Sequence, residues 1–167
     1  CSADSTIAVT LNATPALDPV SDTTVCGSLI LPTISGTDLS GSESYYDATG
    51  GTGTAYAAGA SITSSMTLFV YDANGTCTDE TSFTVTVDAA PTVADAGPDQ
   101  TICDDVTSVT MAGNTAASGS GIWTVGAGTG SFTDDLDPTT DVSGLTLGNN
   151  EMIWTITNGS CPASSDT

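Results

Sequence analysis

The sequence contains no lysine, arginine or histidine, so its 20 aspartate and glutamate residues leave a formal net charge of -20. Nucleic-acid binding depends on cationic side chains that neutralise phosphates, and this chain has none. Serine-type triads, thiol–imidazole pairs, imidazole zinc sites and Schiff-base lysines each need a residue type that is missing. The composition therefore excludes nucleic-acid partners and most catalytic classes, and it leaves an enzyme only carboxylate chemistry.

Long hydrophobic runs are missing as well, since no segment approaches the roughly 20 apolar residues that a membrane span needs. A basic membrane-surface helix is excluded by the lack of cations, so we predict no membrane insertion. No side-chain ion pair can form, and stability must come from apolar burial, hydrogen bonds and disulfides. Although aromatic residues are scarce, an apolar fraction of 38% arranged in alternating segments predicts a folded chain.

The chain does contain many short segments in which apolar residues alternate with Thr and Ser. Examples are IAVTL (7–11), MTLFVY (66–71), FTVTV (83–87) and EMIWTIT (151–157). Period-two alternation with β-branched and aromatic residues is typical of half-buried strands. Clusters of Gly, Asn, Asp, Ser and Pro between these segments are typical of turns. The sequence therefore predicts an all-β sandwich.

An internal repeat is visible in three segments that each begin with a cysteine: CSADSTIAVT (1–10), CTDETSFTVTV (77–87) and CPASSDT (161–167). Their spacing indicates a repeat on the order of 80 residues. We interpret residues 1–14 as the closing strand of an upstream repeat plus a linker. Residues 15–90 are then one β-sandwich repeat, and residues 91–167 are a second repeat that lacks its last strand.

The five cysteines fall into an early and a late position in the predicted repeats. One early and one late cysteine per repeat predicts the disulfides Cys26–Cys77 and Cys103–Cys161, with buried free thiols as the alternative. Cys1 is left over, and we expect its partner in an upstream repeat of a longer tandem chain. The alternative for Cys1 is the lipidated first residue of a lipoprotein. Disulfides favour an oxidising, extracytoplasmic setting.

Several segments resemble a known family. DAGPDQTICDD (95–105), GSGIWTV (119–125) and LTLGNNEMIWTITNGSC (145–161) resemble the immunoglobulin-like or PKD-like repeats of very large Bacteroidota cell-surface proteins. Residues 45–87 resemble a sister repeat of the same proteins, which include gliding-motility adhesins of the SprB type and other products of type IX secretion. The resemblance covers nearly the whole chain. It implies tandem immunoglobulin-like β-sandwiches, an extracellular cell-surface location, and a role in adhesion or surface attachment.

The densest acidic run is TDDLDPTTD (133–141). Hard cations take several carboxylate and carbonyl oxygens, so this run predicts a calcium site. Its ligands would be Asp134, Asp135, Asp137 and Asp141. The alternative is a solvated acidic loop, and we predict no other cofactor.

Two kinds of modification motif occur in the sequence. Asn12, Asn74 and Asn158 stand in N-x-S/T triplets, two of which are N-G turn signals in their own right. The family resemblance implies instead O-linked glycosylation at Asp-Ser/Thr-x triplets, where Ser5 and Thr23 are the candidate residues.

The aromatic residues allow two interpretations. Trp123 and Trp154 fall on alternating strands, which predicts that both are core residues. A sugar-binding aromatic platform is the alternative, and Tyr45 with Tyr46 would be its exposed pair.

These observations predict a non-enzymatic structural or adhesive section of a long extracellular adhesin or filament. Its expected partners are neighbouring repeats and surface glycans or proteins. A first alternative is a glycan- or protein-binding module. A second is a filament subunit whose strand at residues 5–11 completes a neighbouring molecule. A third is a hydrolase with two carboxyl groups about 5 to 9.5 Å apart.

Overall fold

The computed structural model describes residues 7–167, and every regular element within this range is a β-strand. This part of the chain accordingly has no helix that is long and apolar enough to cross a membrane. The prediction of an all-β fold is confirmed. By its contacts the chain divides into two compact units, the first covering residues 7–24 and Ser28–Val87, and the second covering Val25–Gly27 and Asp88–Thr167.

The first unit is built on a five-stranded sheet with the strand order β2-β9-β8-β5-β6, and two two-stranded ladders, β1-β4 and β3-β7, accompany it. The strands are β1 (Ala16–Leu17), β2 (Thr23–Cys26), β3 (Leu29–Ile30), β4 (Gly36–Thr37), β5 (Ser44–Ala48), β6 (Thr52–Tyr56), β7 (Ser61–Ile62), β8 (Met66–Asn74) and β9 (Cys77–Asp88). The hairpin of β8 and β9 is the longest pairing, and it runs from Met66 opposite Val85 to Asn74 opposite Cys77.

The core of the first unit follows from the alternation along this hairpin, because every second side chain of a strand points to the same face. Leu68 and Val70 of β8 and Phe83 and Val85 of β9 are all buried. Tyr45 packs edge-on against Phe83, with ring centroids 6.0 Å apart. Tyr45 is fully buried, so the prediction of an exposed Tyr45–Tyr46 pair is wrong.

The second unit contains two three-stranded sheets with the strand orders β10-β13-β12 and β11-β14-β15. Their strands are β10 (Ser108–Thr110), β11 (Ser120–Ala127), β12 (Ser131–Phe132), β13 (Asp141–Ser143), β14 (Glu151–Thr157) and β15 (Ser164–Asp166). Trp123 and Trp154 stand opposite each other on β11 and β14, with ring centroids 5.0 Å apart. Each tryptophan is 1% exposed, which confirms the prediction that both are core residues.

The segment IAVTL is predicted to close an upstream repeat, and residues 7–167 contain no strand that pairs with it. Residues 7–15 form no strand, and the side chains of Ile7, Val9 and Leu11 are 87%, 89% and 97% exposed. An extended segment becomes a strand only when another backbone pairs with it, and the sequence pattern alone does not supply that partner. The pattern therefore identified a segment able to form a strand, while the fold leaves it unpaired.

The disulfide predictions also need correction. The structure contains the disulfide Cys26–Cys161, whose cysteines are 135 positions apart in the sequence. Cys77 and Cys103 carry no disulfide, so the predicted pairs Cys26–Cys77 and Cys103–Cys161 are wrong. The predicted partner of Cys1 lies outside the described residues.

The reason for the different pairing is that the end of β2 belongs to the second unit. The amide of Gly27 donates a hydrogen bond of 2.9 Å to the carbonyl oxygen of Asp88, and both residues belong to the second unit. The sequence analysis assigned Cys26 to the first repeat because of its position in the chain. Its backbone contacts instead place it within reach of Cys161.

Candidate functional site

The acidic run at residues 133–141 forms a loop of local hydrogen bonds between β12 and β13. A carboxylate oxygen of Asp134 accepts the amide hydrogen of Leu136 at 3.0 Å, and one of Asp141 accepts the hydroxyl of Thr110 at 2.5 Å. The carbonyl oxygen of Asp135 accepts the amide of Trp123. These bonds tie the loop to its own turns and to the adjoining strands.

The carboxylate of Asp137 also accepts hydrogen bonds from within its own loop. One of its carboxylate oxygens accepts both the amide and the hydroxyl hydrogen of Thr139, at 2.8 and 2.9 Å. Hydrogen bonds to the charged form, the one from the Thr139 amide above all, hold the pKa of Asp137 below its ordinary value. The oxygen is thus engaged in an Asx turn.

The calcium prediction required Asp134, Asp135, Asp137 and Asp141 to converge on one point. Throughout residues 7–167 no three Cys, Asp or Glu side chains are grouped so that they could hold a metal ion. The structure therefore places the four aspartates in one loop without bringing their carboxylates together as a ligand set.

Among the acidic residues within 7–167, Asp72 on β8 has the smallest exposed fraction, 1%. It accepts hydrogen bonds from the Ser40 amide at 2.8 Å, from the Ser40 hydroxyl, and from its neighbour Ala73 at 2.9 Å. Burial alone raises the pKa of Asp72, but the hydrogen bonds from Ser40 and Ala73 outweigh it and leave the pKa below the ordinary value. Asp72 is a charged anchor for the loop that contains Ser40, and both of its oxygens are occupied.

Other carboxylates of the first unit also hold turns. Glu80 on β9 accepts the Thr49 hydroxyl at 2.6 Å and the Gly50 amide at 2.5 Å, which fixes the turn between β5 and β6. Asp47 accepts the Thr54 amide at 2.7 Å, and this bond lowers its pKa. These acidic side chains thus hold the turns in place by accepting hydrogen bonds from their amides and hydroxyls.

Two half-buried tyrosines, Tyr46 and Tyr71, do not form a flat shelf. Tyr46 and Tyr71 meet edge to face, with ring centroids 6.2 Å apart and an angle of 85° between the rings. Gly51 lies directly against the ring of Tyr71, where a side chain at position 51 would collide with it. A sugar platform needs an open aromatic face, and the turn at Gly51 covers this one.

The modification candidates have local roles where the structure describes them. Thr23 is half-buried in β2, and its hydroxyl donates a 3.1 Å hydrogen bond to the carbonyl oxygen of Ser21. The amide group of Asn158 donates to the carbonyl oxygen of Ala89 at 2.8 Å. Ser5 lies outside the described residues, so its predicted glycosylation stays a prediction.

Within the described residues, the second unit has an open groove of about 860 Å³, which sequence reasoning did not find. Residues 96–104 and residues 145–152 both line the groove. Val109, Val142 and Met152, which pack in or against the core of this unit, also line the groove. Cys103, an exposed thiol without a disulfide, stands at its edge.

No protein-family model and no curated protein matches the chain, so these comparisons assign no function to the features described above.

Proposed function

We propose that this chain is a non-enzymatic structural section of a long extracellular cell-surface adhesin or filament, made of tandem immunoglobulin-like β-sandwiches. In this role it acts as a stalk or spacer that carries load between an anchored end and an adhesive end. The family resemblance adds a Bacteroidota source, type IX secretion and gliding motility to the proposal. Its partners are neighbouring repeats and surface glycans or proteins.

The observation that carries the proposal is the disulfide Cys26–Cys161, which encloses most of the chain in one covalent loop. A structural disulfide favours an oxidising compartment. Tension applied along the chain passes through this bond, so the residues between the two cysteines are shielded from the load. The carboxylates of Asp72, Glu80 and Asp137 support a structural role, because each accepts a hydrogen bond from a backbone amide.

Single-molecule stretching through handles at the two ends of the chain tests the mechanical part of the proposal. With the disulfide intact, unfolding should release only the residues outside the loop. A reducing agent should add roughly 470 Å of contour length, because the 135-position separation extends by about 3.5 Å per residue. The variant C103S keeps the disulfide and is the matched control. Equal contour lengths before and after reduction would contradict the load-shielding role.

A localisation experiment tests the cell-surface part of the proposal. Antibodies raised against the chain should label intact cells of the source organism. Deleting the coding segment should weaken attachment of those cells to a surface under flow. Labelling that requires permeabilised cells would sink the proposal of a cell-surface adhesin.

A further inference from the structure

Three acidic residues stand in one row across neighbouring segments of the first unit. Asp72 of β8 pairs directly with Asp79 of β9. Glu43 comes one position before β5, whose first residue, Ser44, pairs with Tyr71 of β8. Continuing that register by one position places Glu43 opposite Asp72 on its other side. Directly opposite residues of an antiparallel pair point to the same face of the sheet, so all three carboxylates belong to one face.

This row lies on the inner face of the sheet. Asp72 follows Leu68 and Val70 at alternate positions of β8, and all three side chains are buried. Glu43 and Asp79 are half-buried. Like charges that stand directly opposite one another destabilise a sheet, and burial raises the cost because less water surrounds them. The row therefore costs free energy unless a positive charge neutralises it.

Glu43 also contributes a buried oxygen that has no partner. Within residues 7–167 no group donates a hydrogen bond to its Oε2 atom. Asp72 by contrast accepts hydrogen bonds from both the amide and the hydroxyl of Ser40. Asp79 accepts the amide of Leu17 at 2.7 Å. Buried polar atoms nearly always have a partner, so the Glu43 oxygen indicates that a group from outside the chain binds there.

The matching row of the second unit shows that the fold does not need charge at these positions. Asp72 and Ile156 each lie two positions before the asparagine of an N-G-S/T-C motif, at 74–77 and 158–161. Ile156 is fully buried, and it pairs with Gly121 on β11. An apolar side chain and a glycine thus fill the places that Asp72 and Glu43 take in the first unit.

The third position of the row leads to the same conclusion. Ser164 pairs with the residue that matches Asp72, as Asp79 does in the first unit. The Ser164 hydroxyl accepts the amide of Ala94 at 2.9 Å, and the Asp79 carboxylate accepts the amide of Leu17 in the same way. A hydroxyl is therefore sufficient for this structural role, and the three charges of the first unit go beyond what the fold requires.

The chain contains no lysine, arginine or histidine, so no side chain can neutralise the row. We propose that a hard divalent cation, Ca²⁺ or Mg²⁺, binds to Glu43 and Asp72 and stabilises the first unit. Oε2 of Glu43 is one ligand, an oxygen of Asp72 is the second, and water completes the coordination shell. Asp79 adds negative charge beside the ion. Two carboxylates and water suffice, so the site does not depend on the grouping of three acidic residues that residues 7–167 lack.

Asp72 is suited to be a ligand in two respects. Its Oδ2 atom accepts a single hydrogen bond, from the Ser40 amide at 2.8 Å, so a second lone pair is available to an ion. Burial raises the pKa of Asp72, but its hydrogen bonds from Ser40 and Ala73 outweigh burial and hold the pKa below the ordinary value. Asp72 is therefore charged at neutral pH.

The test follows the unfolding of both units in one sample of the full chain. Metal is removed with a chelator, and urea unfolding is measured without and with Ca²⁺ or Mg²⁺ at constant ionic strength. All four tyrosines lie in the first unit and both tryptophans in the second, so their near-UV and fluorescence signals report the units separately. The cation should raise the tyrosine midpoint more than the tryptophan midpoint. Equal shifts would mean that the ion only screens the net charge of -20, and they would overturn the proposal.

A matched pair of substitutions locates the ion. Glu43→Gln removes a charged ligand and should weaken the apparent cation affinity, taken from the concentration dependence of the tyrosine midpoint, at least about tenfold. Glu151→Gln removes the same charge from an exposed position on β14 of the second unit, and it should leave that affinity unchanged.

Without a divalent cation the effect of Glu43→Gln should change sign. The substitution then removes one of two neighbouring like charges, so the tyrosine midpoint should lie above that of the unsubstituted chain. A Glu43→Gln chain that binds the cation as tightly as the Glu151→Gln chain would overturn the proposal. A metal-free Glu43→Gln chain with a lower tyrosine midpoint than the unsubstituted chain would also overturn it, because Glu43 would then stabilise the first unit without an ion.

Discussion

The two units of this chain fill their cores in different ways. The first unit uses the long strands β8 and β9, which supply Leu68, Val70, Phe83 and Val85 from one hairpin. The second unit relies on two large rings, Trp123 and Trp154, which face each other across a strand pair.

The two cores place different requirements on the residues around them. A long hairpin buries many medium-sized side chains, and every one of them depends on the pairing register. A tryptophan pair concentrates the buried area in two residues, and it requires small neighbours. Gly121 lies against the ring of Trp154, where a Cβ atom would collide with the indole. The core of the second unit therefore depends on a glycine at position 121 beside its tryptophans.

The largest expected effect comes from removing the disulfide Cys26–Cys161, which closes a covalent loop around most of the chain. Cys26→Ser should lower the free energy of unfolding of this unit by about 5 kcal/mol, the loop-entropy value for a loop longer than 100 residues. Both tryptophans of the sequence belong to the second unit, so their fluorescence during urea unfolding measures it directly.

C103S is the control for this measurement, because Cys103 carries no disulfide in the structure. It should leave the unfolding midpoint unchanged. A loss of stability in C103S as large as that in Cys26→Ser would mean that the disulfide pairing described above is wrong.

The next largest effect compares the two cores directly. Trp154→Ala and Phe83→Ala should each lower the stability of their own unit by about 4 kcal/mol, because each leaves a large cavity. All four tyrosines lie in the first unit, so near-UV tyrosine signals report Phe83→Ala while Trp123 fluorescence reports Trp154→Ala. If Phe83→Ala moved only the tryptophan signal, the assignment of Phe83 to the core of the first unit would fail.

A smaller and pH-dependent effect is expected at Asp72. Its folded pKa lies below the ordinary value of 3.8, so its charge stabilises the fold above that pH. The contribution is lost as the pH falls through the folded pKa. Asp72→Asn should lower the free energy of unfolding by about 2 kcal/mol at pH 7, because it weakens charge-assisted hydrogen bonds from Ser40 and Ala73.

The difference between Asp72→Asn and the unsubstituted chain should shrink towards zero as the pH falls below 3.8. Urea unfolding followed by tyrosine signals at several pH values measures it. Asp47→Asn is the comparison, since Asp47 is exposed and holds a single turn. A difference that stays constant with pH would show that the Asp72 charge does not stabilise the first unit.

The sequence by itself determined the class of secondary structure and the burial of the tryptophans. Period-two alternation is a local property, because successive side chains of any strand point to opposite faces. It therefore identified EMIWTIT as a strand, which the structure forms as β14, and it placed Trp154 in the core. The same rule found IAVTL, but it could not say whether another backbone would pair with residues 7–11.

Only the tertiary structure decided which distant groups meet. Cys26 bonds Cys161 because the end of β2 belongs to the second unit, and no spacing of cysteines encodes that contact. The aspartates of residues 133–141 are adjacent in sequence, yet their oxygens bind nearby amides and hydroxyls and do not converge on a cation. Disulfides and ligand sets depend on distances between groups far apart in the chain, and those distances are fixed by packing of the whole fold.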